Sequence, residues 1–193
     1  MLFFCLYIIF EMELFKEKIF TVDTDTYKQL LNQLGKRFNR VTENDIDKDF
    51  EKKLCEIAFG KPATAALPDQ DIKEDVDCIV DNYKVQVKCR NNSHLFLEDY
   101  KTRIGVDKKI WKSGWLDRSL ADLFLFVYPK AQLTIACRYY LKDSLKDLLQ
   151  LLRNSNLKNG SIRTRWGELN FSYKPEVLKK DGDGLGAYYE IFL

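Results

Sequence analysis

An α/β fold is predicted by three features of the chain. Residues 75–90 alternate apolar and polar side chains, break at Asp81-Asn82-Tyr83 and alternate again, the pattern of two short antiparallel strands joined by a tight turn. Residues 123–128, Leu-Phe-Leu-Phe-Val-Tyr, form an unbroken apolar run closed by Pro129, which suits a strand buried on both faces at the centre of a sheet. Two stretches, from Thr42 or Asn44 to Phe59 and from Lys142 to Arg153, repeat apolar positions at helical spacing. The resulting order is helix, strands, then strand and helix around a shared sheet.

Composition permits this and limits the rest. The 193 residues, 46% of them hydrophobic, can bury a proper core and read most simply as one domain. Lys and Arg number 31 against 29 Asp and Glu, so any basic surface must be local. Cys5, Cys55, Cys78, Cys89 and Cys137 show no C-x-x-C spacing, which favours reduced, buried thiols in a cytoplasmic protein over a disulfide framework or a zinc site. His94 is the only histidine, so a His-rich metal site is excluded, and no motif supports a Ser-His-Asp triad.

Residues 1–10, MLFFCLYIIF, are too few to span a bilayer and lack the basic flank and cleavage site of a signal peptide. Met12 reads as an alternative start, with residues 1–11 a mis-assigned extension. A hydrophobic first strand and a short membrane-associating segment are the other readings. Thr24 or Thr26 is the expected cap of a helix through Leu30, Leu31 and Leu34, which Gly35 would close or weaken. In the following helix Ile46, Phe50, Leu54, Ile57 and Ala58 share a face, and Gly60 and Pro62 stop it. Glu51 lies at the edge of that face, whereas Glu56 points to the solvent side. Residues 61–73, with two prolines, read as a loop.

The hairpin carries the chemistry. With Asp81-Asn82 as the loop, residues whose numbers sum to 163 lie opposite each other, so Asp77 faces Gln86 and Lys88 is diagonal to Asp77. Val76, Cys78, Val80, Val85, Val87 and Cys89 form the apolar side. An acid, an amide carbonyl and an ammonium gathered on the other side suit a hard divalent cation and a phosphodiester. A half-exposed hairpin with a solvated face explains the same letters. No phosphate-binding glycine loop or dinucleotide fingerprint is present.

Farther on, Asn91-Asn92-Ser93 reads as a turn and 94–97 as the third strand of a meander. Residues 98–112 interleave Lys101, Arg103, Lys108, Lys109 and Lys112 with Tyr100 and Trp111, which suits either a phosphate-backbone track or a solvated loop. Residues 133–140 are a strand, and Leu145, Leu148, Leu149 and Leu152 line the face of the helix after it. Arg163 and Arg165 fall on one face of a short strand, to grip phosphates or to guard an edge against aggregation. Asp181-Gly-Asp-Gly-Leu-Gly186 lacks the remaining ligands of a calcium loop and reads as a turn before a last strand, 187–193.

Asp77 followed by Gln86-Val87-Lys88 resembles the signature of the PD-(D/E)XK nuclease superfamily in its Gln-x-Lys form. The resemblance covers roughly residues 43–153. It implies a restriction endonuclease-like core, a central mixed sheet flanked by helices, with residues 12–42 a helical extension and 154–193 a β extension. It also implies a DNA endonuclease of restriction, repair or junction-resolving type that needs Mg²⁺ or Mn²⁺. Asp77, Gln86 and the backbone carbonyl of Val87 are the implied ligands. Phe50-Glu51 resembles the family's aromatic-acid pair on the preceding helix, so Glu51 would complete the set, and Lys88 would orient the attacking water. Ser119-x-Ala121-Asp122 resembles a segment in which a helix end leads into a central strand, a supporting role that capping alone also explains. The neutral amide at Gln86, where glutamate is commoner, removes a negative charge and lowers the expected metal affinity. No membrane partner is expected, and homodimerisation stays open. A non-catalytic nucleic-acid or protein-binding module with the same fold is the competing reading, and an unrelated α/β domain is the third.

Overall fold

A computed structural model describes residues 16–39, 48–104, 110–112, 114–178 and 184–193. In chain order the elements are β1 (Lys18–Thr21), α1 (Thr24–Asn39), α2 (Lys48–Phe59), β2 (Ala63–Ala65), α3 (Pro68–Glu74), β3 (Cys78–Val80) and β4 (Tyr83–Cys89). These are followed by β5 (Leu95–Ile104), β6 (Ile110–Lys112), α4 (Trp115–Arg118), β7 (Leu123–Pro129), β8 (Thr134–Leu141) and α5 (Lys142–Ser155). The last three are β9 (Asn159–Thr164), β10 (Gly167–Leu178) and β11 (Gly184–Phe192). The protein is thus mixed α and β, as expected.

The chain divides into two compact units. One holds the chain up to Asn92 together with Leu120–Leu141, and the other holds Ser93–Ser119 together with Lys142–Leu193. Their strands form two sheets, so the single shared sheet expected for residues 43–153 is corrected.

In the first unit the strand order is β1-β8-β7-β4-β3-β2. β7 lies inside it, parallel to β4 and antiparallel to β8, and Leu123–Tyr128 is buried throughout, as its apolar run predicts. One face of this sheet meets α1 and α2: Leu30, Leu34, Phe50, Leu54 and Ala58 pack with Cys78, Val80, Val85, Val87 and Leu125. Each such side chain contributes about 1.5–3 kcal/mol through removal from water.

Several local expectations are revised. The cap of α1 is Asp23, whose carboxylate accepts the Thr26 N–H at 2.8 Å and the Thr26 hydroxyl at 2.7 Å. The helix runs on through Gly35 to Asn39. α2 ends as predicted, with Gly60 at φ 64° donating to the Glu56 carbonyl; its expected start at 42–44 lies outside the described residues. The stretch 61–73 contains β2 and α3 rather than a loop, with Pro68 at the first turn of α3, where its missing N–H costs nothing. Asp75 ends α3 in the left-handed conformation, so β3 starts only at Cys78. Cys55 of α2 and Cys78 of β3 form a disulfide, against the expectation of reduced thiols throughout, whereas Cys89 and Cys137 are buried and form no disulfide.

The second unit carries an antiparallel sheet in the order β6-β5-β11-β10-β9. The expected meander strand after the 91–93 turn is therefore in a different sheet from the hairpin. Residues 98–112 contribute β5 and β6, paired Thr102 to Lys112, in place of a loop. Leu145, Leu148, Leu149 and Leu152 are buried on α5, as predicted. Gly114 is required before α4, because a Cβ there would lie 2.5 Å from the Glu98 carbonyl oxygen. The adjacent Trp115 N–H bonds to the Glu98 carboxylate at 2.9 Å. β10 has no counterpart among the sequence expectations. Among the described residues no helix is long and apolar enough to cross a membrane.

Candidate metal centre at the end of a strand

The hairpin register matches the predicted one. Val80 pairs with Tyr83, Ile79 with Lys84 and Cys78 with Val85, so Asp81-Asn82 is the two-residue loop, with Asp81 at φ 54°. Beyond Cys78 the ladder ends, which changes what Asp77 does. Its N–H bonds the Val85 carbonyl at 2.9 Å, and its carboxylate Oδ2 accepts the Val87 N–H at 2.6 Å. Along β4, alternate residues turn their backbone groups to the same side, so Val87, like Val85, directs its N–H and carbonyl towards β3. The Asp77 carboxylate thus replaces the backbone acceptor that a longer β3 would have supplied. It stands at the strand end, next to the edge where the Val87 carbonyl points.

Gln86 and Lys88 alternate with the core-facing valines. Lys88 is half-buried, but Gln86 is only 4% exposed, so the polar side of this hairpin is not the solvated face that composition alone permits. The Gln86 Oε1 is buried and has no hydrogen-bond partner. Leaving a buried amide acceptor unpaired costs about 1–3 kcal/mol. A hard cation fits such an atom.

Glu51 is 7% exposed on the inward side of α2, whereas Glu56 is half-buried and occupied by the Ala63 N–H at 3.2 Å and by Lys52 at 3.9 Å. The discrimination between these two glutamates made from helical geometry therefore matches the burial. α2 packs on the valine face of the sheet, opposite the one towards which Gln86 points. Its link to Asp77 is covalent: Cys55 follows Glu51 by one turn, about 6 Å along the axis, and Cys78 directly follows Asp77. The Cys55–Cys78 bridge ties α2 to the start of β3. Among the described residues no three His, Cys, Asp or Glu side chains gather as a metal-binding group. A cation site here would rest on one carboxylate, one amide and one backbone carbonyl, those of Asp77, Gln86 and Val87.

The supporting residues are architectural. Asp122 accepts the Lys84 N–H on its carboxylate at 2.8 Å and donates its own N–H to the Lys84 carbonyl at 2.8 Å, fixing the start of β4 against β7. Lys84 is held further by Glu74 at 2.6 Å. Ser119 belongs to the second unit, where it is fully buried and its carbonyl accepts the Lys142 ammonium.

The basic residues do not form one track among the described residues. Lys101 and Arg103 lie on β5, paired with Gly186 and Trp111, and Lys108 and Lys109 fall outside the described residues. Arg163 is exposed on β9 opposite Glu168. Arg165 is not on the strand face predicted for it. It sits in the turn after β9, stacked on Trp166 at 4.5 Å and bonded to the Ser144 hydroxyl at 3.2 Å.

One polar cluster escaped the sequence reading. In the second unit the Glu190 carboxylate, 6% exposed, is bonded by the Lys174 ammonium and by Nδ1 of His94 at 2.8 Å. The Lys174 hydrogen bond is the main cause that holds Glu190 below the usual carboxylate range, with His94 adding to it against the opposing effect of burial. His94 and Glu190 are 96 positions apart, so no local spacing announces the pair.

Comparison with protein-family models, with curated proteins and with solved structures gave no match.

Proposed function

We propose that the protein is a metal-dependent phosphodiesterase acting on DNA, with a restriction endonuclease-like core formed by the first unit. The observation that carries the reading is the orphaned Oε1 of buried Gln86, one residue before the N–H that holds the Asp77 carboxylate. Buried polar groups are normally paired, so the unpaired Gln86 acceptor calls for a partner, and a hard cation is one that suits it. The antiparallel β3–β4 hairpin and the parallel β4–β7 pair support the core assignment.

Asp77, Gln86 and the Val87 carbonyl would hold Mg²⁺ or Mn²⁺; Glu51, on the helix against the opposite face, would reach such an ion only around the strand end and through water. When bound, the ion lowers the pKa of a coordinated water and offsets charge on the phosphate. Lys88, two residues from Gln86 on the same side of β4, orients the attacking water and stabilises the anionic charge that builds on the phosphoryl oxygens. Asp122 keeps β4 in register, and so keeps Gln86 and Lys88 in place.

The test is cleavage of supercoiled plasmid, linear duplex, single strand and four-way junction with Mg²⁺, Mn²⁺ or EDTA, comparing wild type with Lys88→Ala. Metal-dependent cutting that is lost in a folded Lys88→Ala supports the site and names the substrate class. Binding without cutting, on every substrate and in either metal, assigns the protein to the non-catalytic modules instead.

A further inference from the structure

The sheet face that carries Gln86 and Lys88 also gathers two arginines. Paired residues share a face, and the pairing runs from Lys88 to Phe126 to Arg138 across β4, β7 and β8, one row along from Gln86, Phe124 and Tyr140. Two strand spacings put the backbones of Lys88 and Arg138 about 10 Å apart. Arg90 continues the alternation of β4, with its N–H on the Val127 carbonyl at 2.8 Å. Arg138 is 8% exposed, and its guanidinium leans on the ring of Tyr128, the residue after Val127, at 5.9 Å. We propose that this face holds a phosphate group, gripped by Arg138 and Arg90 beside Lys88; the proposal deepens the phosphodiesterase reading above, on which it rests for the source of the phosphate.

One edge of the Arg138 guanidinium selects the ligand. Nε and Nη2 direct N–H groups to the same side, a fork that fits two oxygens of one phosphate. On Arg138 this fork is underused. Its Nε is buried with no hydrogen-bond partner, and the Glu17 carboxylate lies 3.5 Å from Nη2, farther than the roughly 2.8 Å of a charge-assisted hydrogen bond. Arg90 Nε is likewise buried without a hydrogen-bond partner, although both residues have further interactions through other atoms. Buried N–H groups are costly to leave unmet, so two on one face call for an acceptor. An anion with several oxygens supplies it, and the surrounding positive charge turns a cation away.

Glu17 marks how a phosphate enters. Its Oε1 is held by the exposed Lys130 at 2.8 Å, while Oε2 makes the longer contact to Arg138. A phosphate therefore displaces one carboxylate oxygen and leaves the other on Lys130, so neither partner of the old contact is stranded. Glu17 acts as an internal competitor for the arginine, and removal of its charge favours the phosphate.

The experiment uses the full chain in EDTA and titrates inorganic phosphate by calorimetry at constant ionic strength, with anisotropy of a labelled DNA duplex in parallel. Glu17→Gln should bind phosphate, duplex or both about tenfold tighter than wild type, and Arg138→Lys, which keeps the charge but loses the fork, about tenfold weaker, the scale of one charge-assisted hydrogen bond. A gain of affinity does not arise from misfolding, so Glu17→Gln carries the test should Arg138→Lys not fold. Asp25→Asn removes an exposed charge on α1, against the opposite face, and should bind like wild type. Tightening for the duplex alone names the DNA backbone as the source, and tightening for free phosphate alone names a small phosphate ligand. The proposal is overturned by a Glu17→Gln that binds no tighter than wild type, by equal tightening in Asp25→Asn, or by a folded Arg138→Lys that binds like wild type. Absence of binding to both ligands overturns it too, the result expected if ordered water satisfies the arginines. Metal-dependent cleavage alongside such a failure removes the phosphate site alone, whereas phosphate binding with no cleavage in either metal removes the phosphodiesterase reading and leaves the site.

Discussion

Two buried polar groups on sheets of this protein face opposite conditions. Glu190, in the antiparallel sheet of the second unit, has its carboxylate engaged by Lys174 and His94. Gln86, in the mixed sheet of the first, has an amide oxygen with no partner, and the neighbouring Asp77 is held at the end of a strand. A saturated cluster lowers the energy of the fold and asks for nothing more. An unsaturated one raises it, and persists where a ligand offsets the cost. The contrast distinguishes a closed ion-pair network from the candidate site proposed above without reference to residue type, since Glu190 and His94 carry the more catalytic side chains.

Substitutions at four positions test that contrast, in decreasing order of expected effect. Asp77→Asn retains an acceptor for the Val87 N–H but loses the charge, so cleavage should fall by about 10³-fold, the scale of losing one preorganised electrostatic group, with the melting temperature little changed. A parallel loss of stability and activity would instead make Asp77 a strand cap only.

Glu190→Gln should behave in the opposite way, costing roughly 1–3 kcal/mol of stability with cleavage and Mn²⁺ binding intact. Because Glu190 has its folded pKa below the ordinary 4.5, its contribution is fully present above that value and is lost as pH falls through the folded pKa. Thermal melts monitored by circular dichroism from pH 7 to 3 should show the wild-type advantage over the variant shrink only on the acid side.

Gln86→Glu adds a charge to the cation site and should tighten Mn²⁺ binding by about tenfold, whereas Gln86→Leu should abolish it while changing stability by less than about 1 kcal/mol, since removal of an unpaired acceptor is close to neutral. A strongly destabilised Gln86→Leu would show that the amide is paired in solution. The smallest effect is expected from Asp122→Ala, about 1 kcal/mol from one lost side-chain hydrogen bond, with Asp122→Asn restoring it through its own carbonyl oxygen, as chemical denaturation can measure.

The sequence was most legible where the relevant partner is near in the chain. A two-residue loop fixes its own register, so the pairing of Cys78 with Val85 followed from arithmetic, and the apolar run before Pro129 identified an interior strand. The Glu51–Glu56 distinction followed from helical geometry alone. What escaped depends on distant partners. Residues 95–104 pair with β11, nearly 90 positions later, and nothing in their own alternation says which sheet will receive them. β10 mixes polar, apolar and proline residues, so its pattern gives no clean period of two. The burial of Gln86 was equally hidden, because an alternating strand reads as polar-out whether or not something covers the polar side. The disulfide lacks a signature of spacing, since its cysteines stand 23 positions apart and only the packing of α2 on the sheet brings them together.

The chain passes between its two units after Asn92, after Ser119 and after Leu141. A ribosome delivering this polypeptide finishes the first unit only once residue 141 has emerged, when the opening segment of the second is already out and waiting. β5 then has no β11 to pair with until Gly184–Phe192 are made, and an unpaired strand is a template for misassembly. Neither unit is a continuous stretch that a single cut or truncation would release. Nascent chains stalled before β11 should accordingly be sticky and dependent on a holding chaperone, and the two units should become protease-resistant close together in time.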